Sequence, residues 1–268
     1  MRNALEKIFA AAAERSARAE LCEPYDTVRG RAALRIDDRR PLLQALQRAD
    51  GTAIIAEIKR ASPSAGLLVQ NFDSVVIGRT YTAAGADAIS VLTEPDYFLG
   101  ELAFLDATRA ATHLPILRKD FIARPYDVAQ SAAYGADCVL LIVAALSDEI
   151  LRACLDEAVA YALDALVEVH DEEELRRAVA LGARFVGVNN RDLRTLQTDL
   201  AISELLLPSV PAGVFAISES GMHDARDLQR LRRAGARGFL IGESLMRSPA
   251  PRELIASFKS ALETEHAG

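Results

Sequence analysis

Short, near-continuous apolar runs recur along the chain, and four of them follow a Gly-Ala pair: "AGADAISVL" from Ala84, "YGADCVLLI" from Tyr134, "LGARFVGVN" from Leu181 and "AGARGFLIG" from Ala234. The glycines, Gly85, Gly135, Gly182 and Gly235, are spaced 50, 47 and 53 residues apart. Each closes a helix-like segment such as "DEEELRRAVAL" or "DARDLQRLRRA", where glycine suits the left-handed position that ends a helix before a strand. Between these junctions lie "AIIAEIK" (53–59), "LPILRKDF" (114–121), "DALVEVH" (164–170) and "GVFAISESG" (213–221). The pattern predicts eight strands, each followed by a helix. Strict alternation of apolar strands with helices implies a parallel sheet covered on its faces. Eight such units in one chain predict an α/β protein of the (β/α)8 TIM-barrel class. A doubly wound open sheet is the alternative, but it normally has fewer strands and a GxGxxG turn after the first, and no such turn is present.

The first fifty residues do not share this pattern. "MRNALEKIFAAAAERSARAELCE" reads as an amphipathic helix, and its apolar run from Ile8 to Ala13 is too short for a membrane span and lacks a secretory cleavage site. Residues 1–50 are therefore read as a helical extension packed on a barrel of residues 51–268, the whole forming a single domain. A chain of 268 residues, 50% hydrophobic and 26% charged, has ample material for one large core. The net charge of −7 provides no general attraction to nucleic acid. Three cysteines, Cys22, Cys138 and Cys154, fall in no CxxC or Cys/His spacing, which speaks against a disulfide framework or zinc site and for a cytoplasmic protein with reduced thiols.

In a barrel of this class the functional residues stand at the C-terminal ends of the strands, and each inner layer comes from alternate strands. Every odd strand here ends on charge: Glu57 and Lys59, Lys119, Glu168, and Glu219. Side chains alternate along a strand, so Glu57 and Lys59 share a face. Any one of these alone reads as a solvated strand end. Four odd strands ending alike predict three carboxylates and two ammonium groups converging at the barrel mouth. Buried charges cost several kcal/mol each unless paired, so such a cluster is expected to serve acid-base chemistry.

Anion binding is predicted nearby. "ISESG" after the seventh strand and "IGESLM" after the eighth place Ser220, Gly221, Gly242, Glu243 and Ser244 in the loops where barrels commonly hold phosphate, although Ser and Gly also serve as plain turn and cap residues. Ser62 or Ser64 of "SPSAG" is a weaker candidate. Of the four histidines only His170 sits at a strand end, and none has metal-ligand spacing. No metal and no redox cofactor is expected.

Eight motifs in order, "AEIKRASPS", "SVLTEPDYFLG", "LRKDFI", "GADCVLLIVAAL", "ALVEVHDEEEL", "GVNNRDLRT", "ISESGM" and "IGESLMR", together resemble the indole-3-glycerol phosphate synthases of tryptophan biosynthesis from residue 56 to residue 247. The resemblance implies a carboxy-lyase that closes 1-(2-carboxyphenylamino)-1-deoxyribulose 5-phosphate to an indole with loss of carbon dioxide and water, without a cofactor. It implies that Lys119 is the acid at the ketose carbonyl, that Lys59 meets the substrate carboxylate, and that Glu168 is the base of the dehydration. Glu57, Asn189 and Glu219 would orient these groups. Ser62, Phe98, Phe121, Arg191, Ser220, Gly221, Gly242, Glu243 and Ser244 would contact the substrate, and the partner is this small phosphorylated molecule, with neither nucleic acid nor membrane. Two positions depart from the family pattern: Ala65 replaces the usual lysine of Ser-Pro-Ser-Lys-Gly, and Glu101 replaces the serine after Gly100. Two other readings compete. A phosphoribosylanthranilate isomerase-like barrel would commonly use a Cys/Asp pair, yet no cysteine falls at a strand mouth. A non-catalytic phosphate-ligand barrel would have no use for the mixed-charge cluster.

Overall fold

The structure is a computed structural model that describes residues 4–49, 51–192 and 195–264. Eight parallel strands close into a barrel: β1 (Ala53–Ile58), β2 (Ala88–Leu92), β3 (Ile116–Lys119), β4 (Cys138–Ile142), β5 (Asp164–Val169), β6 (Phe185–Asn189), β7 (Phe215–Glu219) and β8 (Gly238–Ile241). Each pairs with the next, and β8 returns to β1 with Ala53 opposite Gly238 and Ala56 opposite Ile241. All eight predicted strands are present. The four junction glycines take φ of +87°, +90°, +87° and +115°, the left-handed conformation that ends a helix cheaply only at glycine.

Side chains alternate between two cores. The outward set packs under the helices, while Ile55, Leu117, Leu140, Leu166, Ile217 and Leu240 fill the barrel interior. That interior is a solid apolar plug, so polar chemistry is confined to the upper rim.

Three helices precede the barrel: α1 (Ala4–Cys22), α2 (Tyr25–Ala33) and α3 (Leu42–Arg48). Together they run from the mouth down one side to the floor. At the mouth, Phe9 of α1 meets Phe121 edge-on with ring centroids 5.3 Å apart, and Arg15 pairs with Asp120 at 3.1 Å and with Glu94 at 3.5 Å. Along the side, α2 packs on the helix Pro125–Ala133 that follows β3. Below, Leu42 and Leu46 of α3 are fully buried against the interior plug, and the Leu43 amide donates to Asp164 at the foot of β5. Arg39 and Arg40 seal this end by donating to the carbonyls of Ala132, Ala136, Thr112 and Leu114.

No helix among the described residues is long and apolar enough to cross a membrane.

Candidate active site

Glu57, Lys119, Glu168 and Glu219, each from an odd strand, form one inward layer directly above the apolar plug. Lys119 Nζ lies 3.1 Å from Glu168 Oε2 and 3.4 Å from Glu219 Oε2, and Lys59 Nζ lies 2.6 Å from Glu57 Oε1. The three carboxylates are buried, and the two lysine side chains keep only 14% and 15% exposure. The predicted charge cluster is therefore a real one, and its members pair with one another.

Two even strands make room for it. A Cβ at Gly187 of β6 would collide with Glu219 Oε1, and a Cβ at Gly242, just past β8, would collide with Glu57 Oε1. Any larger residue at either position would push a carboxyl group out of the layer. Asn189 of β6 stands above Gly187, helps hold the Glu168 carboxyl low, and accepts the Arg191 amide through its Oδ1.

Burial and pairing drive the protonation states apart. Burial alone would raise Glu168, but Lys119 and His170 beside it outweigh that and hold its carboxyl well below the usual range. Burial would likewise pull Lys119 down, yet Glu168, Glu219 and Glu57 surround it and raise its pKa. Glu219 goes the other way. Burial lifts it to about 8, Glu168 and Glu57 reinforce the rise, and Lys119 opposes it. Neither Glu219 oxygen meets hydrogen-bond geometry among the described residues, and Lys119 at 3.4 Å is its ion-pair partner there. The layer thus sets one carboxyl held low beside another raised toward its neutral form, with an ammonium between them, opposite tendencies imposed by environment.

The cleft above this layer is lined by all the predicted site residues except Ser62. Ser62 instead accepts the Ala65 amide within a small hairpin of residues 61–62 and 66–67, and it is Ser64 whose hydroxyl accepts from Arg191, at 3.0 Å. Arg191 also donates to the Leu196 carbonyl and approaches Glu243 at 3.8 Å, so it ties together the loops after β1, β6 and β8. At the opposite wall Phe98 lies 6.3 Å from Phe121, continuing the aromatic row that begins with Phe9. Ser220 has φ of +66°, a left-handed conformation that costs a non-glycine residue roughly 1 kcal/mol or more and that is retained at functional sites. Ser244 donates to the Met222 carbonyl at 2.5 Å and joins the β7 and β8 loops into one rim. Leu193 and Arg194 of the "GVNNRDLRT" motif lie outside the described residues.

A match between the indole-3-glycerol phosphate synthase family model and residues 5–258 decides the affiliation. The chain belongs to the indole-3-glycerol phosphate synthase family. Among relatives bearing that name, the protein of Azospirillum brasilense is 51% identical over 207 residues, covering 76% of this chain and 79% of its own. That of Carboxydothermus hydrogenoformans is 44% identical over 257 residues, 94% of this chain and 97% of its own. Solved structures share the barrel at low identity. A thiamine phosphate pyrophosphorylase from Pyrococcus furiosus superposes with a TM-score of 0.60 at 16% identity, over 81% of this chain and 98% of its own. A 3-hexulose-6-phosphate synthase does so at 0.58 and 19%, over 78% and 99%. These two likenesses concern the fold alone.

Set beside the indole-3-glycerol phosphate synthase resemblance of the motifs, four site features were missed in the sequence. Phe9 and Thr198 reach the site from distant segments, the first through Phe121 and the second by lining the cleft. Asp120 lines the cleft too, and His223 stands in the β7 rim. His170 was noted as a strand-end residue without a partner in metal spacing; it lies 3.3 Å from Glu168 and 3.0 Å from Glu174. Only the spacing Glu-x-His-x-x-x-Glu hinted at that. The isomerase reading has no structural support, because Cys138 is buried at the foot of β4, its thiol pushed up by burial, and Cys154 is buried in the helix Asp148–Ala160.

Proposed function

We propose that the chain converts 1-(2-carboxyphenylamino)-1-deoxyribulose 5-phosphate to indole-3-glycerol phosphate by general acid-base catalysis, in an aqueous cytoplasmic setting and without a cofactor. The observation that carries this reading is the Lys119, Glu168 and Glu219 layer, in which two buried carboxyl groups stand within 3.4 Å of one ammonium group. Ring closure requires a proton delivered to the ketose carbonyl as the ring carbon attacks it, and Lys119, at the centre of the layer, supplies it. Loss of carbon dioxide restores aromaticity. Dehydration then needs a base, Glu168, and an acid, for which Lys59 stands at the end of β1. Glu57 pairs with Lys59 and fixes its position; Asn189 and Glu219 do the same for Glu168 and Lys119.

The remaining contacts sort by chemistry. Phe98 and Phe121 offer an apolar wall for the aromatic ring of the substrate, and Lys59 offers a charge for its carboxylate. Arg191, Ser220, Gly221, Gly242, Glu243 and Ser244 form the rim assigned to the sugar phosphate, where Arg191 donates to Ser64 of the hairpin that carries Ala65. Ser62 supports the hairpin from outside the cleft and is assigned no direct contact. Residues 1–50 act with the barrel of 51–268 as one domain, a reading supported by the burial of Leu42 and Leu46 in the barrel floor.

The test is a spectroscopic assay of indole formation from the carboxyphenylamino substrate. Wild-type protein is expected to turn over, and Lys119→Ala to lose roughly 10²–10⁴-fold in kcat. Absence of turnover by the wild type would remove the reading.

A further inference from the structure

Glu168 is gripped from two sides. Its Oε2 faces Lys119 within the cleft, and its Oε1 faces His170 Nε2 at 3.3 Å on the other. His170 does not line the cleft and its side chain is only 13% exposed, so it reaches the chemistry through Glu168 alone.

The local chain explains why the ring sits there. His170 follows the last residue of β5, two positions after Glu168, and the helix Glu172–Ala180 begins at once. Asp171 caps that helix by accepting the Glu174 amide at 2.8 Å, which fixes the first turn. Glu174 Oε2 then accepts the His170 backbone N–H at 2.8 Å and lies 3.0 Å from Nδ1. With Nδ1 beside Glu174, Nε2 faces Glu168 Oε1 at 3.3 Å as an ion-pair contact and makes no hydrogen bond among the described residues. A ring held between two carboxylates is favoured as the imidazolium, a donor at both nitrogens.

We propose that His170, clamped by Glu174, is a positioning residue that holds the Glu168 carboxylate beside Lys119 and so prepares it to act as the base of the dehydration. The catalytic step rests on the function proposed above; the three-residue pairing does not. The charged groups around Glu168 are Lys119 of β3, Glu219 of β7 and His170, with Glu57 of β1 reaching the layer through Lys119 and Glu219. Glu174 faces the ring from the helix. Lys119 is shared with Glu219, whereas among the described residues the Nε2 of His170 pairs with Glu168 alone. That division makes the imidazolium the cation dedicated to keeping Glu168 ionised, and it frees Lys119 to give up its proton to the substrate.

Two measurements on the full chain test this. In the ligand-free protein, the His170 imidazole, assigned by comparison with His170→Asn, should remain protonated above about pH 9 in an NMR titration, and should titrate lower in Glu174→Gln. In the assay, His170→Leu should lower kcat about tenfold or more and move the acidic limb of the kcat profile to higher pH, because Glu168 then protonates more readily. KM should stay within about twofold. His170→Asn, which keeps a donor without charge, should recover part of kcat but leave the limb displaced. A purely structural role would lower folded yield or kcat at all pH values without displacing the limb. Titration of His170 near the ordinary histidine value, or an acidic limb that overlays the wild type, overturns the proposal. If the wild type shows no turnover, the reaction assignment fails, and the NMR titration by itself decides whether the pairing stands.

Discussion

Glu219 carries the least comfortable ionisable group of the layer, since its carboxyl is buried, faces two other carboxylates and has only Lys119, at 3.4 Å, to offset them among the described residues. Its pKa is raised by burial from 4.5 to about 8, so the fold favours the neutral acid. The contribution of this group to stability is therefore fully present below the unfolded value near 4.5 and is lost as pH rises through about 8. Glu219→Gln should match the wild type in melting temperature near pH 4 and exceed it above pH 8, at the expense of turnover. Equal melting temperatures at both ends would show that Glu219 ionises freely in the fold. Histidine 170 has the same sign by a different route. Burial disfavours its charge, but Glu168 and Glu174 outweigh that and raise it from 6.5 to about 10, so its stabilising contribution also fades as pH rises through that window. Both groups make the site a source of alkaline destabilisation, which is the usual trade between a prepared active site and stability.

Among the elements, the three N-terminal helices divide their work by position. Leu42 and Leu46 of α3 close the floor of the interior plug, and truncating a fully buried leucine to alanine costs about 2–5 kcal/mol. Leu46→Ala should thus lower the melting temperature with kcat nearly unchanged. The helix α1 does something else at the other end. Arg15 bridges it to Asp120 and Glu94, and Asp120 in turn accepts from Arg118 and Thr93 and from the amide of Phe121. Arg15→Ala should loosen the aromatic row of Phe9, Phe121 and Phe98. The expected result is a KM raised several-fold with a smaller change in stability than Leu46→Ala, since without Arg15 the buried Asp120 keeps Arg118 at 2.8 Å and Glu94 keeps the amides of Asp96, Tyr97 and Phe98. Steady-state kinetics and thermal melts on the two variants separate the roles, and a KM unmoved by Arg15→Ala would make α1 a brace rather than part of the cleft wall.

For the molecule as a whole, the arrangement is an apolar barrel plug with one polar layer laid on its top and a rim of loops above that. The rim is assembled from segments far apart in sequence: the hairpin after β1, Arg191 after β6, Ser220 after β7 and Ser244 after β8. A phosphorylated ligand that spans these loops binds only the folded chain. Inorganic phosphate or a phosphorylated substrate analogue should therefore raise the melting temperature, by up to roughly 2.7 kcal/mol of added stability at a hundredfold excess over Kd. A melting temperature indifferent to phosphate at high concentration would count against the rim as its site. The absence of a lysine at Ala65 bears on the same loops. Arg247 donates to the Ala65 carbonyl at 3.4 Å and Arg191 to Ser64, so two arginines from other strands already hold this hairpin.

Much of this was legible in the residues taken in order. Strand and helix alternation is a local pattern, because apolar periodicity and helix-ending glycines act over a few residues, and the eight strands appear where it placed them. The charges closing β1, β3, β5 and β7 were legible for the same reason, as was their convergence once a barrel was assumed. Partnership was another matter. Whether Lys119 meets Glu168, Glu219 or Glu57 depends on the stagger of the strands. That Gly187 and Gly242 are cavities for carboxyl groups depends on distances across the barrel. His170 was legible only as a strand-end residue, because its partner Glu174 lies a helical turn away, on an element whose direction is set by packing. Ser62 and Ser64 are both serines of one loop, and only the approach of Arg191 from β6 selects the second. The sequence by itself determined the type and order of the elements and the chemistry available at their ends, since those follow from short-range sterics and hydrophobic periodicity. The tertiary structure decided which groups pair, which carboxyl keeps its proton and which helix faces the mouth, because these are set by through-space contacts between residues remote in the chain.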